Sequence, residues 1–493
     1  MNTFFPSSIV RQRGFGLVQS LVFASIAITI ISALVAWAGV NLKTARASVA
    51  RERAIQVAEA GIDYYRWHLA HAPQDFQDGT GAAGPYVHDF YDKDGTRIGT
   101  FTLRITPPPT GSTIVTIESE GRVVEDASVV RKIRTRLAIP SLAKYAFVSN
   151  SDMRFGEGTE VFGPIHSNGG IRFDGLAHNI VSSARSDYDD QDHSGANEFG
   201  VHTHVDPPPG SGVTDTFRAS EAPPTSPVPT RTDVFIAGRQ FPVPSVDFTG
   251  LTTNLAQIKA DAQASGRYIA NSGASGYRIV LRTNDTFDLY RVTSLTNAPS
   301  GCTNGQNQSG WGTWSVNNMQ AAQNFPIPAN GLIFVEDNVW VEGTINTARV
   351  TIASGRFPDS PATRTNITIN NDLQYTNYDG QDVIALIAQN NINVGLISDN
   401  NLRIDGALVA QNGRIGRYYY STSCRSGGTN WYDRNSITLF GMLATYGRYG
   451  FAYTDGTGYD TRTINYDANL LYGPPPSFPL TSDQYTTISW EEF

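Results

Sequence analysis

The sequence predicts a mainly β protein with one long N-terminal α-helix, followed by a small antiparallel β-meander and then a parallel β-helix (solenoid) that carries an insertion. Three observations predict it. Phe15 to Val40 contains no charged residue. Three alternating runs follow between 97 and 139. From Tyr145 onward, short apolar runs are punctuated by Gly and Asn. Composition agrees: 493 residues include 46 Gly, 22 Tyr and 24 Phe but only 17% charged residues, a balance that suits turn-rich β structure. A chain of this length buries a sizeable core and divides into several domains.

The helix comes first. The stretch FGLVQSLVFASIAITIISALVAWAGV exceeds the roughly 20 apolar residues that span a bilayer. It is also longer than the apolar region of a cleaved secretory signal, and no small-residue cleavage site closes it. Beyond it, Asn41 to Leu69 has no Pro and a single Gly, Gly61, and is rich in good helix formers. Ala47, Ala50, Ala54, Val57, Ala58, Gly61, Ile62 and Tyr65 recur at spacings of three and four, which makes one narrow stripe of small and apolar residues. Pro73 is a stop. The expected rod runs from Phe15 to Ala72, roughly 87 Å at 1.5 Å per residue. Charge leaves its orientation open, because Arg11 and Arg13 precede the span while Lys43, Arg46, Arg51 and Arg53 follow it.

The meander comes next. Arg97 to Thr106, Thr113 to Val123 and Val129 to Ile139 alternate as half-buried strands do. Asp94-Gly95 and Thr110-Gly111 mark turns. Asp92, Asp94 and Gly95 echo a calcium loop but lack the remaining ligand spacing, so a hairpin turn is expected.

The texture changes at Tyr145. Runs such as EVFGPIHSN, GLIFVEDNVWVEG, DVIALIAQNNINVG and SITLFGMLATYG repeat without strict period. They suit coils that each bury an inner face against the next, with Asn at turns and in stacked ladders. Between 186 and 328 the sequence is loop-rich and includes PPPG at 207–210 and a Pro-rich run at 223–229. Leu251 to Ser265 reads as an amphipathic helix and Tyr277 to Leu295 as a hairpin. The segment TSDQYTTISWEEF, after Pro474-Pro475-Pro476, reads as a final strand or a cap.

Arg11-Gln12-Arg13-Gly14-Phe15 ahead of the long apolar helix resembles the class III signal of type IV pilins and pseudopilins. The helical segment GVNLKTARASVARERAIQVAEAGIDYYRW, with Ala58-Glu59-Ala60, is similar to that of PilX-type minor pilins. The resemblance covers roughly the first 140 residues. It implies a cytoplasmic leader 1–14, cleavage after Gly14 by a prepilin peptidase, and methylation of Phe15. It also supplies the orientation that charge leaves open: the chain begins as a single-pass protein of the cytoplasmic membrane, in contact with lipid, and ends on an extracellular pilus or cell surface. Other pilins and the inner-membrane assembly platform are the implied partners. The expected domains are then leader 1–14, helix 15–72, meander 73–140, β-helix 141–185 and 329–493, and insertion 186–328.

One departure bears on role. The fifth mature position, a Glu in major pilins, is Gln19 here. In the family that Glu pairs with the terminal ammonium of a neighbouring subunit. An amide hydrogen-bonds but makes no ion pair, so a tip or low-abundance minor subunit, not the main filament subunit, is expected.

Chemistry-bearing residues are few. His166, His178, His193, His202 and His204 fall within 39 positions, with Asp187, Asp189, Asp190 and Asp192 among them. His202 and His204 on a strand point the same way. His193, His202, His204, Asp189 and Asp192 are therefore weak candidates for a structural zinc or calcium site, against the plainer reading of a polar loop with no cofactor. No Gly-x-Ser-x-Gly, phosphate loop, His-Glu-x-x-His or Gly-x-Gly-x-x-Gly after a strand is present. An enzyme is not expected, although β-helices do host polysaccharide-active enzymes, which is the third reading. Trp311, Trp314, Trp340, Tyr418 to Tyr420, Trp431 and Tyr432 either pack internally or form a face for a surface glycan or protein, as an adhesin would. Cys302 and Cys424 form one long-range disulfide, remain separate thiols, or pair with another chain. Net charge is −8, and −10 without Arg11 and Arg13; no basic run suggests nucleic acid. The reading is a minor-pilin-like structural component of a type IV pilus or related filament. The alternative is a single-pass, membrane-anchored surface β-helix that never assembles.

Overall fold

The computed structural model describes residues 15–493. The leader and the cleavage position Gly14 lie outside the described residues. The chain divides into two compact units. The first comprises Phe15–Pro107, Val115–Leu137 and Thr487–Phe493; the second comprises Pro108–Ile114 and Ala138–Thr486.

The first unit is built on α1, Phe15–His71. Its apolar first half contains an 18-residue window of mean hydropathy 2.4, none of it buried. Within that half Ser20, Ser25 and Thr29 turn their hydroxyls back onto the carbonyls of Gly16, Val22 and Ser25 at 2.8 Å. This local bonding satisfies a hydroxyl without water. The second half buries Ala50, Ala54, Val57, Ala58, Gly61, Ile62, Tyr65 and Leu69, which is the stripe that the sequence spacing marks.

That stripe packs on an antiparallel sheet of β1 (Tyr86–Tyr91), β2 (Arg97–Thr106), β3 (Val115–Val123) and β4 (Val130–Ala138). Small residues let the helix approach closely. A Cβ on Gly121 would lie 2.1 Å from the Ala54 carbonyl oxygen, and one on Gly61 would lie 2.4 Å from Ser119 Oγ. The Asp92 turn joins β1 to β2: its carboxylate accepts from the Asp94 and Thr96 amides at 2.9 and 2.8 Å, and Gly95 takes φ +80. It is a hairpin turn.

One sequence expectation changes here: a fourth strand, β1, lies within the stretch read as connector. Of the two readings of the C-terminal segment, the final strand holds: Thr486–Glu492 adds to the edge of β4. The Lys132 carbonyl accepts from the Phe493 amide at 3.1 Å, Arg134 bonds Glu491 at 2.9 Å, and Arg131 pairs with Glu492. Period-2 alternation marks a strand but not which sheet receives it.

The second unit is a parallel β-helix. One stack of parallel strands runs in the spatial order 267–269, 332–335, 349–354, 383–388, 407–410, 442–445, 147–149, 165–167, 181–183 and 239–240. A second stack includes 277–281, 339–345, 373–375, the first parts of Asn401–Ala410 and Asp433–Thr445, Gly458–Tyr466 and Thr159–Phe162. Shorter strands pair as 367–368 with 392–394 with 415–417, and as 153–155 with 171–173 with 201–202.

The coils are therefore not stacked in sequence order. The chain enters in the middle, winds outward to 240, returns to the far end at 267, and winds back to meet its own start. Nine strand steps of about 4.8 Å make that return about 43 Å. Helix α2 (Thr249–Ala264) covers about 24 Å of it. Its Leu255, Ile258 and Ala262 lie in one cluster with Phe334, Ala353, Ala385, Ile387, Val409 and Met442. In Val383–Ala388, the alternate residues Ile384, Leu386 and Ala388 face the main solenoid core instead. A strand covered on both faces is apolar throughout, which explains the run VIALIA.

Segment 186–328 is thus not one excursion. Val201–His202, Arg239–Gln240, Arg267–Ile269 and Gly276–Leu281 extend the stacks, and Gly276–Leu281 also pairs with Thr286–Leu295 as the expected hairpin. Asn side chains join neighbouring coils: Asn366 bonds Asn338 at 3.1 Å, and Asn390 bonds Asn366 at 3.1 Å.

Candidate functional site

The His/Asp segment folds beside the strands 153–155, 171–173 and 201–202. The short pair Asp187–Tyr188 and Glu198–Phe199 closes a turn, and Val201–His202 then joins Ile171–Phe173 in parallel. Glu198 lies on one short strand and His202 on the next, with a bend at Gly200 between them. The side chains of Glu198, His202 and His204 are all fully buried.

The three imidazoles converge on Glu198. Its Oε2 lies 3.0 Å from His193 Nε2, 3.0 Å from His202 Nε2 and 3.2 Å from His204 Nε2. Asp190 Oδ2 stands 3.6 Å from both His193 Nε2 and His202 Nε2. Ligand atoms of Asp190, His193, Glu198 and His204 all fall within 4.8 Å of one another.

The outer atoms are held by backbone. The Nδ1 atoms of His204, His202 and His193 face the carbonyls of Thr214, Phe199 and Ser194 at 2.7, 3.3 and 3.4 Å. Glu198 Oε1 accepts from the Arg218 amide at 2.9 Å, and an Asp190 oxygen accepts from the Asp192 amide at 3.1 Å. Buried Arg172 lies beside the cluster, 3.6 Å from Asp190 and 2.7 Å from Asp174. Burial disfavours charge on Asp190 and Glu198, but their contacts with His202, backbone amides and, for Asp190, Arg172 outweigh it and hold both carboxyls well below the usual range. Burial likewise disfavours charge on His202, and the nearby Asp190 and Glu198 carboxylates outweigh it and raise the imidazole pKa.

Three of the five sequence candidates, His193, His202 and His204, come together. The other two do not. Asp189 is exposed, and Asp192 pairs with Arg154 at 3.4 Å and with Arg448. Asp190 and Glu198 take their places. Alternation links His202 to His204, but Glu198 lies before the bend at Gly200, and nothing in a run of aspartates singles out Asp190. His166 is buried between Ser182 and Asn168, and burial lowers its pKa. His178 bonds Glu160 at 2.7 Å and stacks on Phe162.

The aromatic candidates form a small core. Tyr418 and Tyr420 are buried with Leu396 around the Cys302–Cys424 disulfide, and Trp311, Trp314, Trp431 and Tyr432 pack against them. Trp340 is buried and donates to the Trp314 carbonyl at 2.8 Å. Arg417 lies beneath, fully buried and without a carboxylate partner among the described residues. It donates to Leu396 O at 3.0 Å and Ser398 Oγ at 2.8 Å, and its guanidinium stands 4.9 Å from the Tyr420 ring. Burial pulls its pKa down. Beside this core is an open groove of about 1060 Å³ whose lining includes Arg154, Gln308, Tyr418, Tyr453 and Asp455.

On α1, Phe15 is 73% exposed and Gln19 is exposed one turn further on.

No family model matches the chain, and no curated protein matches it. Among solved structures, it is similar to the competence-associated pilin ComZ from Thermus thermophilus, at 12% identity over 90% of this chain and 98% of that chain, with a TM-score of 0.30. A likeness at that score establishes no shared fold, so function is read from this chain's own residues.

Proposed function

We propose that the chain is a minor-pilin-like structural subunit of a type IV pilus or related filament, a structural chain and not a catalyst. The observation that carries this reading is the division of α1. Its first half is apolar and wholly exposed, while its second half is buried under an antiparallel sheet by a stripe of small residues. A helix built so offers one apolar surface first to lipid and then to equivalent helices of neighbouring subunits. The Arg11-Gln12-Arg13-Gly14-Phe15 sequence supports processing by a prepilin peptidase at the point where the exposed half begins. Gln19 in place of an acid supports a minor position, at the tip, where no subunit above requires an ion pair.

The β-helix is then the surface-displayed part, for adhesion or recognition. The groove beside Tyr418 and Tyr453, with polar groups next to aromatic rings, supports a glycan or protein ligand there. The same groove favours a second reading, a membrane-anchored surface β-helix that never leaves the bilayer.

Mass spectrometry of the mature N-terminus, in cells with and without prepilin peptidase, separates the two. A methylated peptide beginning at Phe15 and dependent on the peptidase is expected. An intact Met1 start in both strains overturns the pilin reading and leaves the anchored β-helix.

A further inference from the structure

We propose that Asp190, His193, Glu198, His202 and His204 bind one divalent transition-metal ion, zinc, as a structural site that locks the turn at 187–204 onto the β-helix.

The argument rests on what the imidazole nitrogens face. Neutral histidine has one N–H donor and one acceptor nitrogen. On the outer side, each of the three Nδ1 atoms faces a backbone carbonyl oxygen. On the inner side, each Nε2 faces carboxylate oxygens of Glu198 or Asp190. Oxygen acceptors therefore stand on both sides of every ring. A neutral tautomer that donates outward leaves its Nε2 lone pair against a carboxylate; one that donates inward leaves its Nδ1 lone pair against a carbonyl. Three remedies exist: protons on the carboxyls, three imidazolium ions buried together beside Arg172, or a cation among the Nε2 atoms. Two carboxyls offer at most two protons to three rings, whereas a cation leaves every ring neutral and a dication balances the two carboxylates.

Two buried atoms independently point to the same place. His202 Nε2 and Asp190 Oδ2 make no hydrogen bond of acceptable geometry among the described residues. They face each other at 3.6 Å, while the other Asp190 oxygen is held by the Asp192 amide.

The outer contacts are those a metal site requires. Ligating imidazoles donate Nδ1–H to a carbonyl, which fixes the ring and aims Nε2 inward, and ligating carboxylates are themselves held by backbone donors. Three nitrogen donors with carboxylate oxygens suit zinc and disfavour calcium and magnesium, which take oxygen ligands. Structural zinc sites are closed and almost always four-coordinate; Asp190, His193, Glu198 and His204 bring four ligand atoms within 4.8 Å of one another, and His202 beside them leaves no open position. Because the donors come from a loop and two two-residue strands, binding contributes to folding that loop.

The test uses the full-length chain in detergent, stripped with chelator, dialysed and titrated with zinc, with cobalt(II) as the spectroscopic probe. Expected are one zinc per chain, a cobalt spectrum of low-coordinate nitrogen and oxygen ligation, and a rise in Tm on zinc addition. His193 is the most accessible ligand, so His193→Asn is the variant least prone to misfold. It should weaken zinc binding beyond the about 10- to 100-fold that outer-shell partners cost, whereas His178→Asn should bind as the wild type does. Unchanged binding by His193→Asn overturns the proposal. If that variant does not fold, the wild type decides alone: a folded, stripped chain that takes up well under one zinc, or shows no Tm shift, overturns it. The outcome is independent of filament assembly.

Discussion

Phe147 and Leu443 are register partners in adjacent parallel strands, although they come from opposite ends of the second unit's sequence. Phe147 is fully buried, with its ring edge-on to Phe155 at 5.0 Å and to Tyr449 at 5.1 Å. The first coils thus rest on the last ones, and neither block closes the stack alone. Phe147→Ala should cost about 3–5 kcal/mol. In denaturant unfolding followed by proteolysis, sites near 150–180 and near 440–466 should become cleavable together. Cleavage confined to the N-terminal block contradicts this stacking order.

The packing of α1 predicts a steric effect. Gly121 faces the Ala54 carbonyl with room for hydrogen only. Gly121→Val should force the helix off β3 and lower stability by about 1–3 kcal/mol or more. The outward substitution Arg122→Val, in the same strand, should cost far less. Thermal unfolding of both variants with matched far-UV spectra checks the difference.

The stripe from Ala50 to Tyr65 was legible because a helix packed on one side leaves a 3.6-residue imprint. The apolar run at 383–388 was legible as a strand for the complementary reason, burial on both faces. The order of the coils was not legible. Every coil has the same local pattern, and nothing in Phe147 or Leu443 names the other as neighbour. The metal-ligand set was half legible for a similar reason. His202 and His204 share a face by alternation, but Asp190 reaches them through a turn whose path only tertiary contacts fix. Asp189 and Asp192, equivalent to it in composition, point elsewhere.

The disulfide predicts a local effect of reduction. Cys302 and Cys424 are separated by 122 residues, and closing a loop of that order is worth about 4–5 kcal/mol in the chain-entropy model. The bond sits at the centre of Trp311, Tyr418, Tyr420 and Trp431. Cys302→Ser/Cys424→Ser should shift tryptophan emission to the red and reduce near-UV ellipticity, while far-UV ellipticity, set by the stacked coils, stays near its original value. Loss of all β signal would mean that the bond holds the whole solenoid.

Asp405 predicts a pH dependence. Its side chain is buried and accepts from the Tyr375 amide at 3.0 Å, Tyr378 Oη at 2.7 Å and Arg403 Nε at 2.9 Å. Burial is the largest influence and pushes its carboxyl pKa up despite these bonds. In the window that begins near 4, the unfolded value, and ends at the raised native value, the native state holds a proton that the unfolded chain has lost. The stability this group contributes therefore falls as pH rises through that window. The stability difference between wild type and Asp405→Asn should shift in favour of the variant from pH 4 upward and level off once the native carboxyl is ionised. A difference that is flat from pH 4 to 7 contradicts the raised pKa.

Gln19 predicts where the subunit sits in a filament, given the proposed pilin role. An amide at this exposed position of α1 makes no ion pair with a neighbour's terminal ammonium, whereas a carboxylate among apolar helices is costly unless so paired. Gln19→Glu supplies the missing partner. It should move the chain from rare, tip-restricted labelling to frequent incorporation along the shaft, counted by immunogold on purified filaments. Processing at Gly14 should be unchanged, because the substitution lies five positions beyond that residue. Tip-only labelling with Glu at 19 would show that the β-helix, and not the amide, excludes this subunit from the shaft.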